Sequence, residues 1–412
     1  MSKNIKGASP KWRFLEFRGN GDWERKKLGE MAFIVNDKIA IEKLNAETYI
    51  STENMLPNFA GVSTASQLPQ TGNFTKFKSG DILVSNIRPY LKKVWRSNKT
   101  GGASNDVIVF RSNSNIDSNF LEFILKNELF INYVMKNAKG LKMPRGDKES
   151  MLIYPVYIPP YPTFSEQQKI ADCLSSIDDL ISAEEKKLSL LNDYKKGWMQ
   201  KLFPAEGKTV PEWRFPEFIN SGDWEENSLK KVLIKNSMKN KNQKYSLIES
   251  ISNKFGFVRQ DKYFENRRVA SKNTSNYYVI KKGYFAYNPS RIDVGSLAYK
   301  YDDRTSIISP LYVSFKANND VIDDIFLWMF FNSISFTKQM IFEGGVRNTL
   351  NYENLIQIKI FLPNLPEQQK IAGFLSGIDE LISSQKEKIE KLKQHKKALM
   401  QGLFPSIEEV CK

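Results

Sequence analysis

The chain repeats itself along its whole length at a fixed offset of 201 residues, the distance from Glu166 to Glu367. EQQKIADCLSSIDDLIS begins at Glu166 and EQQKIAGFLSGIDELIS begins at Glu367. From each glutamate to the LFP that ends at Pro204 or Pro405, 22 of 39 positions are identical without a gap. The same offset carries PKWRFLEF at Pro10 onto PEWRFPEF at Pro211, GDWE at Gly21 onto GDWE at Gly222, and Leu28 onto Leu229. A period this long excludes a solenoid, whose units run about 20 to 50 residues. The chain must instead fold as two copies of one domain, each followed by the repeated segment.

Residues 30–160 and 231–362 share little identity but keep a common outline. KSGDILVSNIRP from Lys78 and KKGYFAYNPSR from Lys281 each pass from a glycine turn into a short apolar strand and end in a polar, arginine-bearing loop. One fold with two rewritten surfaces is expected. The most apolar stretch, VIDDIFLWMFF at residues 321–331, is too short and too acidic to span a membrane and reads as a buried helix.

In the first repeated segment apolar residues fall at Ile170, Leu174, Ile177, Ile181, Leu188, Leu191, Trp198 and Leu202. The second has Ile371, Leu375, Ile378, Ile382, Ile389, Leu392, Leu399 and Leu403 in matching places. This spacing of four and three marks one helical face at coiled-coil period. Polar residues interrupt both seams at the same points, Glu184 and Lys195 in one and Gln385 and Lys396 in the other, as if one register requirement governs both. Pro204 and Pro405 stop the helices, because proline lacks the N–H and clashes with the preceding turn. About 37 residues at 1.5 Å each make a rod of roughly 55 Å, longer than one turn of B-DNA at about 34–36 Å. Ordinary core helices tolerate much exchange of apolar residues. A face kept fixed while the globular surfaces diverge points to a fixed partner, either the other helix or a repeated subunit.

The 61 Lys and Arg against 46 Asp and Glu leave a net charge of +15, which suits a polyanionic partner. In the first variable region the candidate DNA contacts are Lys76, Lys78, Arg88, Lys92, Lys93, Arg96, Lys142, Arg145 and Lys148. In the second they are Arg267, Arg268, Lys272, Arg291, Arg347 and Asn348. Arginine can pair bidentately with guanine, asparagine with adenine, and lysine neutralises phosphate, so loops of this composition suit groove reading.

Catalytic and metal motifs are missing. YNPSR at Tyr287 lacks the second proline and the aromatic that a methyltransferase uses to hold a flipped adenine. No G-x-x-x-x-G-K-[ST] loop is present to cradle a nucleotide. The single histidine, His395, excludes a histidine-built metal cluster and most Ser-His arrangements. Two cysteines, Cys173 and Cys411, cannot build a disulfide framework and fit a reducing compartment, and the N-terminus has no apolar signal core, so a cytoplasmic location is expected.

On the doubled EQQKIA helices, the doubled LFP ends, the doubled W-R-F and GDWE entries and the proline-rich junctions before EQQ, the chain resembles the specificity subunit of type I restriction–modification systems. The resemblance implies two α/β (α+β) target-recognition domains joined by two long antiparallel coiled-coil helices in a pseudo-twofold repeat. It implies a first recognition domain at residues 1–165, a central spacer helix at 166–204, a second recognition domain at 205–366, a distal spacer helix at 367–405 and a tail at 406–412. Double-stranded DNA with a split, asymmetric site would be the ligand, and two modification subunits would dock on the helices beside restriction subunits, with no membrane involved. The chain would be non-catalytic and hold no cofactor or metal. S-adenosylmethionine would belong to the modification subunit, and ATP and magnesium to the restriction subunit. Two rivals remain from the residues alone: a methyltransferase or nuclease with a disguised site, and a coiled-coil tether that holds DNA without sequence preference.

Overall fold

The computed structural model describes residues 8–160, 164–263, 273–342 and 349–405. They form two compact units, one running to Glu185 and resuming at Glu387, the other Lys186–Lys386. Two helices of 39 residues, the central helix Phe164–Leu202 and the distal helix Leu365–Leu403, each contribute one part to either unit.

In the first unit a four-stranded antiparallel sheet has the order Ala32–Ile34, Val107–Ser112, Ile82–Ser85, Val94–Arg96. Ile82–Ser85 is buried at every position, as a central strand covered on both faces should be. A second sheet, ordered Lys38–Ala40, Asn73–Phe77, Gly101–Ala103, Tyr49–Ile50, packs against it through Phe77, Leu83 and Val109. Helices Ser118–Leu125 and Glu128–Lys136 cover the other face with Phe120, Phe123 and Phe130. A two-stranded ladder, Glu24–Lys27 against Pro155–Ile158, brings the start of the domain to its end, just before the central helix.

The second unit repeats this plan. Its sheet has the matching order Leu233–Lys235, Val313–Ala317, Tyr284–Tyr287, Leu297–Tyr299, and its ladder pairs Glu225–Ser228 with Lys359–Leu362. The glycine turns entering the equivalent strands have φ of +90° at Gly80 and +84° at Gly283, where a side chain would be strained. Residues 324–331 are the buried helix expected from their composition, capped by the Asp323 carboxylate. The second sheet is where the copies part: the second unit keeps its order only in outline, with Tyr278–Ile280 paired to Ser306–Ile308 and flanked by the single bridges Lys239–Tyr278 and Ile248–Ile307, and it adds a hairpin of Glu249–Ser252 with Gly256–Arg259. A wholly buried Lys300 ammonium holds that region together, 2.6 Å from Glu249 and 3.0 Å from Asp302.

The repeated anchors meet at the helix starts. Glu166 is wholly buried and accepts from Arg13 Nε and Nη2, while Arg13 Nη1 donates to the Gly21 carbonyl. Arg214, Glu367 and Gly222 repeat the arrangement in the second unit. The next residue works on the domain's own helices: Gln167 Oε1 accepts from the Asp117 N–H at 2.8 Å, and Gln368 Oε1 from the Asp323 N–H at 2.9 Å. Lys169 pairs with Glu16 at 3.5 Å and Lys370 with Glu217 at 3.1 Å. The EQQK identity therefore has an intramolecular cause: it bolts each WRF entry segment and each domain to a helix.

Candidate nucleic-acid interface and helix faces

Within each unit the two long helices run antiparallel. In the first, Asp178 pairs with Lys396 at 2.5 Å and, further along, Glu184 with Lys388 at 2.5 Å. In the second, Lys195 pairs with Asp379 at 2.6 Å. The offset of 201 converts Asp178–Lys396 into Lys195–Asp379 with the helices exchanged, so the polar interruptions Lys195 and Lys396 are one reciprocal contact made twice.

In the first unit Ile170, Leu174, Ile181, Ile389 and Leu403 are buried, and Ile177, Leu392 and Leu399 half-buried. In the second, Leu202, Ile371, Leu375, Ile378 and Ile382 are buried and Leu188, Leu191 and Trp198 half-buried. Both ends of the seam merge with domain cores. Leu403 and Phe404 pack with Trp23 and Phe120, Leu202 and Phe203 with Trp224 and Phe326. Trp198 sits in an aromatic cluster, with its ring centroid 5.0 Å from Trp213 and 5.2 Å from Phe374. His395 is exposed.

Some identical positions face water instead. Leu180 is 43% and Leu381 57% exposed, at the same place in the two copies. An exposed leucine is unremarkable singly. An exposed leucine kept in both copies lacks the intramolecular reason that accounts for EQQK.

The basic candidates divide by what their side chains touch. Lys92 bonds Glu128 at 2.9 Å, Lys93 donates to the Thr52 carbonyl at 2.6 Å, Arg96 pairs with Glu122 at 3.2 Å and Arg145 with Asp106 at 3.2 Å. Lys76, Lys78, Arg88, Lys142, Lys148 and Arg291 are exposed and make no ion pair among the described residues. Arg267, Arg268, Lys272, Arg347 and Asn348 lie outside the described residues. Lys76 projects from the strand Asn73–Phe77, Lys148 opens the helix Lys148–Leu152, and Arg291 closes the turn after Tyr284–Tyr287 by donating its N–H to the Asn288 carbonyl.

Arg88 and Lys92 carry a signal invisible in the sequence. Both have positive φ, 51° and 54°, on either side of the 3₁₀ turn Pro89–Leu91. A non-glycine residue held this way costs about 1–3 kcal/mol and persists only where neighbouring bonds enforce it. Burial, and then the nearby Arg88 charge, lower the Lys93 ammonium below the usual lysine value.

Burial also pushes the Cys173 thiol up, the opposite of what a thiolate nucleophile needs. No cluster of three His, Cys, Asp or Glu residues able to hold a metal ion occurs among the described residues. No helix among them is long and apolar enough to cross a membrane.

Comparison with known proteins gives one family. The family model described as "Type I restriction modification DNA specificity domain" matches the chain twice, over residues 20–193 and 221–394. The chain is 27% identical over 417 residues to the type I restriction enzyme MjaVIII specificity subunit of Methanocaldococcus jannaschii, covering 93% of this chain and 92% of that protein. It is 26% identical over 198 residues to the Escherichia coli EcoDI specificity subunit, covering 45% and 43% respectively. Among solved structures, the type I restriction–modification S subunit from M. genitalium superposes with a TM-score of 0.62 at 15% identity, covering 97% of this chain and all of that one, which establishes a shared fold.

Proposed function

We infer, because this chain belongs to the type I restriction–modification DNA specificity family, that it selects the double-stranded DNA sequence on which a modification and restriction complex acts. Residues 1–165 and 205–366 are the two recognition domains, each reading one half of a split, asymmetric site through its non-repeated loops. The long helices, 166–204 and 367–405, set the gap between the halves and dock two modification subunits, with restriction subunits joining the larger complex. Methyl transfer, with S-adenosylmethionine, and cleavage, with ATP and magnesium, belong to those partners, so this chain is non-catalytic and works in the cytoplasm.

One observation carries this reading: the clamp, ladder and four-stranded sheet are duplicated closely, whereas the second sheet is reduced to one strand pair and two single bridges in the second unit and the loops around it differ. A duplicated frame offers identical partners two equivalent docking places, and divergent loops offer DNA two different surfaces. The basic charge of +15 supplies the sequence-independent attraction that DNA binding requires.

The test is exchange of residues 30–160 for the same region of a relative, followed by mapping of methylated bases in cells that also carry the modification subunit. One half of the recognised sequence should change and the other stay. Change in both halves, or in neither, refutes the two-reader scheme. Seven residues inserted in register into both helices should alter the gap, and an unaltered gap refutes the spacer role. The rival enzyme reading requires the chain alone to methylate or cut DNA. The rival tether reading requires salt-dependent binding with a flat response to sequence.

A further inference from the structure

Three loops of the first unit, residues 54–62, 86–93 and 139–146, interlock through their main chains. The Asn58 and Phe59 N–H groups donate to the Leu91 and Lys92 carbonyls at 2.9 and 2.8 Å, the Arg88 N–H to Pro144 at 2.9 Å, and the Gly146 N–H to Asn86 at 3.0 Å. Lys139 and Arg145 exchange two N–H to carbonyl bonds of 2.9 Å, which closes residues 140–144 into a projecting loop. Four of the five non-glycine residues with positive φ among the described residues lie here: Asn58, Phe59, Arg88 and Lys92. Asparagine tolerates that conformation, but phenylalanine, arginine and lysine adopt it only under constraint. Such enforced geometry concentrates where a surface must be presented in one fixed shape.

What this scaffold presents is apolar. Leu141, at the tip of the projecting loop, is fully exposed, with Met143 48% and Tyr90 49% exposed. Arg88 and Lys142, from two of the same loops, make no ion pair among the described residues, while Arg145 and Lys139 are held by Asp106 and Asp147. Apolar groups exposed on a loop braced by main-chain bonds, beside unneutralised cations, match a ligand with a polyanionic rim and an apolar interior. Stacked base pairs between phosphate backbones have that character.

We propose, building on the reading of the first domain as a DNA reader, that residues 139–146 form a wedge whose Leu141, backed by Met143, enters a DNA groove against the bases while Arg88 and Lys142 hold flanking phosphates. Apolar side chains inserted at a base step partly unstack it and bend the duplex. A modification partner must turn its target base out of the stack, and a step already loosened lowers the cost of doing so.

The test uses the full chain with its modification subunits and a duplex whose methylated bases have been mapped, carrying 2-aminopurine at successive steps of the first half-site. The wild-type complex should raise 2-aminopurine fluorescence at one step. Leu141→Ser should abolish the rise and weaken binding about tenfold, within the range of a lost buried leucine contact. Because Leu141 is fully exposed, that variant has no folding reason to fail. An Arg88→Ala, Lys142→Ala double variant should bind more weakly with a shallower salt dependence yet keep the fluorescence rise at saturation. If Leu141→Ser binds and perturbs the duplex like wild type, the wedge is refuted and the first domain remains a reader by other contacts. If the variant loses a modification subunit instead of DNA, the loop is a protein-docking element and the wedge is equally refuted. Absence of any sequence preference in the wild-type complex overturns both the wedge and the reading beneath it.

Discussion

The Trp12 indole occupies the space that a Cβ on Gly402 would need, and the Trp12 main-chain N–H donates to the Gly402 carbonyl at 2.8 Å. The last turn of the distal helix is thereby covered by the entry segment at the other end of the same unit. Gly402→Ala sets two effects against each other. Alanine favours a helix over glycine by about 1 kcal/mol in an interior position, and less in a last turn. Overpacking against a ring costs about 1–3 kcal/mol. Net destabilisation of about 1–2 kcal/mol is therefore expected, read as a lower urea midpoint, and a stabilised variant would show that Trp12 moves aside freely. The equivalent position in the other copy is Lys201, whose carbonyl accepts from the Trp213 N–H at 3.0 Å, so Lys201→Ala should be nearly neutral.

Glu166→Gln removes the charge from a carboxylate that is wholly buried and bonded side-on to Arg13 at 2.8 Å through both oxygens. The Arg13 guanidinium is left with a neutral partner in a site only 9% exposed. Breaking a buried pair from one side costs about 3–5 kcal/mol. Glu367→Gln should behave alike in the second unit, where Arg214 makes the same contacts. Either variant should lower the urea midpoint of unfolding sharply, and a loss under about 1 kcal/mol would mean that water already shares the site.

The Lys195–Asp379 contact at 2.6 Å is half-exposed, with side chains 23% and 40% accessible, so its contribution is of another order. Exposed and partly exposed pairs give about 0.2–1 kcal/mol in double-mutant cycles. Lys195→Glu should destabilise the second unit modestly, and adding Asp379→Lys should restore most of the loss. The coupling should shrink in high salt. Full additivity of the two single variants would show that the pair does not fix the helix register.

The two helices and the faces they bury were legible in the sequence because the information is carried by periodicity and by repetition, although each helix starts and stops two residues earlier than the repeat suggests, at Phe164–Leu202 and Leu365–Leu403. The role of Glu166 was not. Its partner Arg13 lies 153 positions away, and the only trace of the contact is that both residues recur together at Arg214 and Glu367. Identity that looks like a fixed external surface is, at EQQK, an internal clamp. The loop cluster was half legible. Arg88, Lys92, Lys142 and Arg145 stand out by charge, but Tyr90, Leu141 and Met143 do not, because apolar residues draw attention in a sequence only when they follow a period. Their exposure is set by main-chain bonds between loops that are far apart in the chain, and no local pattern encodes it.

Leu180 and Leu381 separate the two reasons for repetition. Both face water at equivalent positions of the two helices, one in each unit, 43% and 57% exposed. If the helices dock two identical subunits, each leucine is a contact for one of them, and burying a leucine side chain contributes about 1.5–3 kcal/mol. Leu180→Asp removes that contribution and adds a carboxylate that must be desolvated, so binding of one modification subunit should weaken by at least about tenfold. Native mass spectrometry of the purified complex should then count one subunit instead of two, with Leu381→Asp giving the same count and the double variant none. Unfolding free energies should stay within about 0.5 kcal/mol of wild type, since both positions are on the surface. Retention of two subunits by the double variant would remove these leucines from the docking face and leave their duplication without a cause.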